Sequence, residues 1–197
     1  QSARDGNAEI YSASPDGALL TNLTSNAAND TYPAVSPDGA HIAFTSNRAG
    51  TSQVFIMDAD GGNVRQVTVG TDHSFGARWS PDGGRLVFNR VDVGLANYDL
   101  YTIRTDGTDL RRLTTSPDYD AAGAWSPDGR LIAFHREHAG NYELFAIDVA
   151  TLQEVQLTDH PGIDGLPAWS PDGQQIAFFG TRDPLHPDGT ILLLDVA

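Results

Sequence analysis

Asp30, Asp120 and Asp164 each stand six residues past a Leu-Thr pair, at the entrance to a short apolar segment, and Ser74 takes the same place after Val67-Thr68. A fold that repeats can bring residues of one register together. Three carboxylates side by side repel one another unless they are hydrated, ion-paired or bound to a cation. The chemistry this suggests is a mouth that takes a divalent cation such as calcium, or a basic group on a partner. Asp72, His73, Tyr119 and His160 lie in the same connecting segments, with Tyr32 and Phe75 just inside. Asp30, Tyr32, Asp72, His73, Phe75, Asp120 and Asp164 are therefore the candidate partner-binding set, and Asp30, Asp120 and Asp164 the candidate metal ligands. The competing account is local, since Asp or Ser in a tight turn caps backbone N–H groups.

Other groupings point to structure. Asp38, Asp82, Asp128 and Asp172 recur in one turn motif, where each carboxylate can accept N–H bonds from its own turn. Arg4, Arg48, Arg90, Arg136 and Arg182 recur by repeat and are expected to pair with carboxylates or to cover blade edges. The histidines, His41, His73, His135, His138, His160 and His186, share no register, and His135 to His138 lacks the spacing of a helical zinc motif. Asp58 to Gly61 has the acids of a calcium loop, but its glycine is misplaced and Val69 stands at the twelfth position. There is no Gly-x-Ser-x-Gly elbow, no phosphate-binding glycine loop and no nucleophile beside a base. A catalytic set is not expected within these residues.

The elements that must position the candidates follow from a repeat. Ser-Pro-Asp-Gly begins at Ser36, Ser80, Ser126 and Ser170, at spacings of 44, 46 and 44 residues. Val35, Trp79, Trp125 and Trp169 directly precede it, and Phe44, Phe88, Phe134 and Phe178 follow eight residues after the serine. A period of this size marks stacked supersecondary units. In the copy over residues 32–68, Tyr32 to Val35 is a first strand ending in the turn, where Pro fixes φ and Gly supplies a positive one. His41 to Ser46 alternates as a second strand, Asn47 to Ser52 is a polar loop, and Gln53 to Asp58 is a third strand. Asp60-Gly61 turns into a fourth, Val64 to Thr68. No stretch keeps a helical period.

Four short antiparallel strands per repeat make one blade of a β-propeller, whose middle blades bury both faces. That accounts for apolar Ala43 and Val87, which point away from Phe44 and Phe88. The three tryptophans are expected in equivalent buried sites between blades. The fold class is all-β, a propeller with about four and a half repeats. Repeats span about 25–68, 69–114 and 115–158, with partial ones at 1–24 and 159–197.

The pattern Trp-Ser-Pro-Asp-Gly, three residues, Ala-Phe, then an Arg-containing loop and Asp-Gly, resembles the TolB-type propeller repeat over nearly the whole chain. The helical N-terminal domain of that family has no counterpart in these residues. The resemblance implies a periplasmic or extracellular, non-catalytic scaffold that binds a protein or peptide through its loops. Related propellers also serve peptidases and a pectin-degrading lyase. The alternative is thus the propeller domain of a hydrolase or metal-dependent lyase whose catalytic groups lie elsewhere.

Composition narrows the partners. The chain has 197 residues, 26 acidic against 12 basic, all arginine, for a formal charge of −14. Such a surface repels nucleic acid and anionic lipid, and favours a partner presenting Arg or Lys. Cysteine is absent, which excludes disulfides and thiolate sites. No apolar run approaches the roughly 20 residues that span a bilayer. Residues 9–13 and 191–196 both read as third strands, and no fourth strand follows the latter. The array is expected to be part of a six- or seven-bladed ring of a longer parent chain, a four- or five-bladed ring with one irregular blade, or half of a ring closed as a homodimer.

Overall fold

The computed structural model describes residues 1–4, 6–91, 94, 97–138, 140–182 and 189–196. Every regular element among them is a strand. The first blade is β3 (Asp30–Val35), β4 (His41–Ala49), β5 (Thr51–Asp58) and β6 (Arg65–Gln66). The second is β7 (His73–Trp79), β8 (Arg85–Val91), β9 (Asp99–Arg104) and β10 (Arg111–Arg112). The third is β11 (Tyr119–Trp125), β12 (Leu131–His138), β13 (Asn141–Asp148) and β14 (Glu154–Gln156). All three run antiparallel in simple meander order. Before them stands the two-stranded pair β1 (Tyr11–Ala13) and β2 (Leu20–Asn22). After them comes a three-stranded sheet of β15 (Asp164–Trp169), β16 (Gln175–Gly180) and β17 (Thr190–Asp195).

The Ser-Pro-Asp-Gly turn closes on itself. Ser36 donates its hydroxyl to Asp38 Oδ1 and accepts the His41 N–H at 2.9 Å, while the Ala40 N–H donates to the same carboxylate at 3.0 Å. Gly39 has φ 73°, a left-handed value that only glycine adopts without strain. The serine hydroxyl, then the backbone N–H, holds Asp38, Asp82, Asp128 and Asp172 below the usual carboxylate range. These aspartates are turn formers. A fifth copy, Ser14 to Gly17, lies at another register and closes β1 onto β2 with the same bonds.

Packing alternates across each blade. Phe88 faces back to Ala43, Val54 and Ile56, whereas Val87 faces forward to Ile132 and Phe134. Both faces of a middle blade are buried, at about 25 cal/mol per Å² of apolar surface removed from water. Three sequence expectations need correction. The polar loop after β4 is a tight turn at Asn47–Gly50, so β4 and β5 are longer than alternation alone suggested. The fourth strands pair over two or three residues only. The tryptophans are half-buried: Trp79 and Trp169 donate Nε1–H across the blade seam to Ala34 O and Ala124 O, at 2.8 and 3.1 Å, and their rings face a cavity.

What holds the short fourth strand is the threonine of each Leu/Val-Thr pair. Thr68 Oγ1 accepts the Val54 N–H and donates to Gln53, and Thr158 accepts the Leu144 N–H and donates to Glu143. Thr24 with Ile10 and Glu9, and Thr114 with Leu100 and Asp99, repeat the arrangement. A buried hydroxyl thus replaces the missing ladder bonds. The last sheet differs from the others. Ile191 and Leu193 sit at the register of Leu144 and Ala146, which are buried, yet they are 73% and 66% exposed. Among the described residues, no contact joins β15–β17 to β1–β6.

Candidate functional site

The aspartates at the strand entrances are fully buried, and each is held by an arginine of its own blade. Arg48 Nη2 lies 2.8 Å from Asp30, Arg136 grips Asp120 through two bonds at 2.6 and 2.9 Å, and Arg182 pairs with Asp164. Where Ser74 replaces the acid, Arg90 reaches Asp72 instead. Each of these arginines also lies over the phenylalanine or tyrosine rings beneath it, Arg136 at 4.6 Å from the Phe145 centroid. Burial pushes the Asp120 carboxyl up, and the bonds to Arg136 pull it back. Among the described residues, no three His, Asp or Glu side chains stand together as metal ligands. The three carboxylates meet arginine rather than one another, because the second strand puts a cation beside each.

Every first strand carries a β-bulge, at residues 31–34, 75–78, 121–124 and 165–168. At its centre the backbone is left-handed, with φ 52° at Tyr32, 70° at Gly76, 57° at Ala122 and 55° at Leu166. A side chain in that region costs about 1–2 kcal/mol, so three of the four bulges are strained. The preceding blade steadies two of them: Thr45 Oγ1 accepts the Gly76 N–H at 3.1 Å, and His135 Nδ1 accepts the Leu166 N–H at 3.3 Å. The His135 proton therefore sits on Nε2. Burial pushes its pKa down to about 4.

The bulges re-aim side chains along the first strands, and a cavity of about 790 Å³ lies there, within the range of small-molecule sites. Trp79, Trp125 and Trp169 line it with Tyr32, Phe75 and Leu166. Beside it runs a row of aromatic rings across two blade seams. Tyr32 lies 6.3 Å from Phe75, Phe75 is 5.5 Å from Tyr98, and Tyr98 is 5.3 Å from Tyr119, between ring centroids. Tyr32 is 53% exposed, and Tyr98 and Tyr119 are 38% exposed.

Of the sequence candidates, Tyr32 and Phe75 come together, and Tyr119 joins them through Tyr98. Tyr98 was missed because its segment between β8 and β9 carries no repeat signal. His73 is exposed on β7. His160 donates its backbone N–H to Glu143 and accepts the Gly162 N–H through Nδ1, so it serves its own turn. Asp58 to Gly61 is likewise a turn, tied by Asn63 and the Gly62 N–H. His186 lies outside the described residues.

The profile of the TolB beta propeller domain matches residues 1–121 and 118–185. A TolB homolog of Chlorobium luteolum is 44% identical over 61 residues, 31% of this chain and 14% of that protein. TolB from Acinetobacter baumannii superposes with TM-score 0.80 at 21% identity, over 95% of this chain and 46% of that one. For a putative TolB from Agrobacterium tumefaciens the values are 0.77 and 24%, over 95% and 76%. This chain thus spans a seventh of the first relative and under half of the second. An oligogalacturonate lyase in complex with manganese (TM-score 0.71, 17% identity) and a Mycobacterium tuberculosis puromycin-hydrolyzing peptidase (0.70, 20%) share the fold alone. With the profile covering most of its length and the blades in place, the chain belongs to the TolB beta-propeller family.

Proposed function

We propose that this propeller is a non-catalytic scaffold, in the periplasm or outside the cell, that binds a protein or peptide with basic groups. The observation that carries this reading is the exposed aromatic row Tyr32–Phe75–Tyr98–Tyr119. Rigid, half-exposed tyrosines supply contact area at low entropic cost, and their faces attract Lys and Arg. Asp118 precedes Tyr119 in the chain and Glu137 lies across the ladder from it, so the row has acidic neighbours in a protein of charge −14. Asp30, Asp120 and Asp164 act behind it, as the paired charges that fix the strand entrances. The likeness to TolB proteins supports that compartment.

Substituting Tyr98 and Tyr119 together by serine is expected to abolish retention of an Arg- and Lys-bearing partner from envelope extract while leaving the melting temperature within a few degrees. Equal retention by both forms would overturn the aromatic row as the binding surface. The alternative, a propeller domain serving a hydrolase or metal-dependent lyase, draws on the fold shared with the peptidase and the lyase. It predicts turnover by a longer chain, unaffected by the serine pair. The exposed Ile191 and Leu193 are the face that a further blade covers, from a second copy or from more of the same chain. Light scattering at about 42 kDa, twice the 21.1 kDa of this chain, supports the dimer, and a monodisperse monomer overturns it.

A further inference from the structure

We propose that the cavity along the first strands is a binding site for an organic carboxylate with an apolar or aromatic body, held at Arg78. Repeats expose function where they break. Arg78 stands at the register of Ala34, Ala124 and Ala168, so one blade places a guanidinium where the others place a methyl group. Among the described residues the cavity lining contains no Asp or Glu, in a chain with 26 of them, and Arg78 is its one arginine. Eight other arginines pair with carboxylates. Among the described residues Arg78 has no such partner, and its one bond goes from Nη1 to the neighbouring Ala77 carbonyl at 3.1 Å.

Two residues of the lining also carry a sealed, unpaired polar atom. Trp125 Nε1 and Asn89 Oδ1 are buried without a hydrogen-bond partner, although both residues line the cavity and Asn89 is only 8% exposed. A buried, unpaired polar atom is costly, about 1–3 kcal/mol, and calls for an explanation. The equivalent indoles, of Trp79 and Trp169, donate to the blade before them. The indole beside the Arg78 strand keeps its donor. Arg78 is exposed, and its guanidinium offers a fork of N–H donors that suits the two oxygens of one carboxylate. One cation matches one negative charge, and the field of a protein at −14 disfavours a dianion such as phosphate. The rings and prolines around Arg78 supply the contact for the apolar body. The site adjoins the proposed aromatic surface, since Tyr32 and Phe75 line the cavity, but Tyr98 and Tyr119 do not, so the serine pair leaves the lining intact.

All three tryptophans of the chain line the cavity, so their fluorescence reports on it. Phenylacetate, phenylacetamide and phenethylamine are titrated as matched acid, amide and amine. Saturable quenching or a spectral shift is expected with phenylacetate, at least about tenfold tighter than with the amide and weakest with the amine. Arg78→Ala, the residue of the other three blades, should erase the acid preference without moving the melting temperature. A tripeptide ending in phenylalanine, with free or amidated carboxyl, identifies the source. Tighter binding of the free peptide than of phenylacetate assigns the site to a chain terminus, and weaker binding assigns it to a free acid. The proposal is overturned if the amine binds as tightly as the acid, if Arg78→Ala keeps the preference, or if no probe gives a saturable signal.

Discussion

Replacing Arg136 by methionine is expected to destabilise the protein by about 3–5 kcal/mol near neutral pH, as removing one partner of a buried ion pair does. Asp120 is fully buried beneath this arginine and receives two of its bonds, while Glu154 takes a third at 2.9 Å. Methionine keeps much of the volume over Phe134 and Phe145, so the loss is chiefly electrostatic. With the cation gone, burial and the Glu154 charge raise the pKa of the Asp120 carboxyl against a single hydrogen bond from Thr114. The stranded carboxyl can then escape its penalty only by taking a proton. That relief grows as pH falls, so the cost of the substitution should be smaller near pH 5 than near pH 7. Adding Asp120→Asn should restore most of the loss, because no buried charge then remains. Urea denaturation of the single and double variants measures all three. A single variant within about 1 kcal/mol of the parent would show that Asp120 is solvated in solution and the pair is decorative.

The same pair shows how far sequence alone reaches. The Ser-Pro-Asp-Gly turns and the Phe positions recur at fixed spacing, and that recurrence alone makes the blades legible. The register of Asp30, Asp120 and Asp164 was legible for the same reason. Their partners were separable only in space. Arg48, Arg136 and Arg182 lie 16 to 18 residues away, on strands whose pairing brings them to the acids. Without the ladder between first and second strands, three acids looked like a ring of bare charge. The opposite error occurred at the tryptophans, where a large apolar residue at each seam suggested burial. The bulge beside each first strand turns those rings half outward, and a bulge at Tyr32-Pro33 or Ala122-Gly123 leaves little trace in hydrophobic alternation. The aromatic row was partly hidden because Tyr98 sits in a segment unique to one blade. Arg78 was visible as a lone arginine, but it gained meaning only once its register-mates proved to be alanines lining one cavity.

His135→Asn is expected to make the protein less sensitive to mild acid. His135 is mostly buried against Tyr142, at 5.4 Å between ring centroids, and burial holds its folded pKa at about 4, below the ordinary 6.5. The unfolded chain therefore binds this proton at higher pH than the folded one. Stability is unaffected above about pH 7, falls as pH drops through 6.5, and stops falling below about 4, where both states are protonated. Between pH 7 and pH 5 the shift corresponds to about 2 kcal/mol. The turn aspartates act later. Their folded pKa values lie below the ordinary 3.8, so the stability they add is intact above that value and is lost as pH falls through the lower ones. The two groups thus occupy separate windows, and a loss of stability between pH 7 and pH 5 reports on His135. Asparagine is chosen because Asn89 holds the same register in the second blade, where the fold accommodates it. Urea midpoints at pH 7 and pH 5 should differ clearly in the parent and far less in the variant. An equal fall in both would place the titration elsewhere, with His135 charged and solvated in the folded protein.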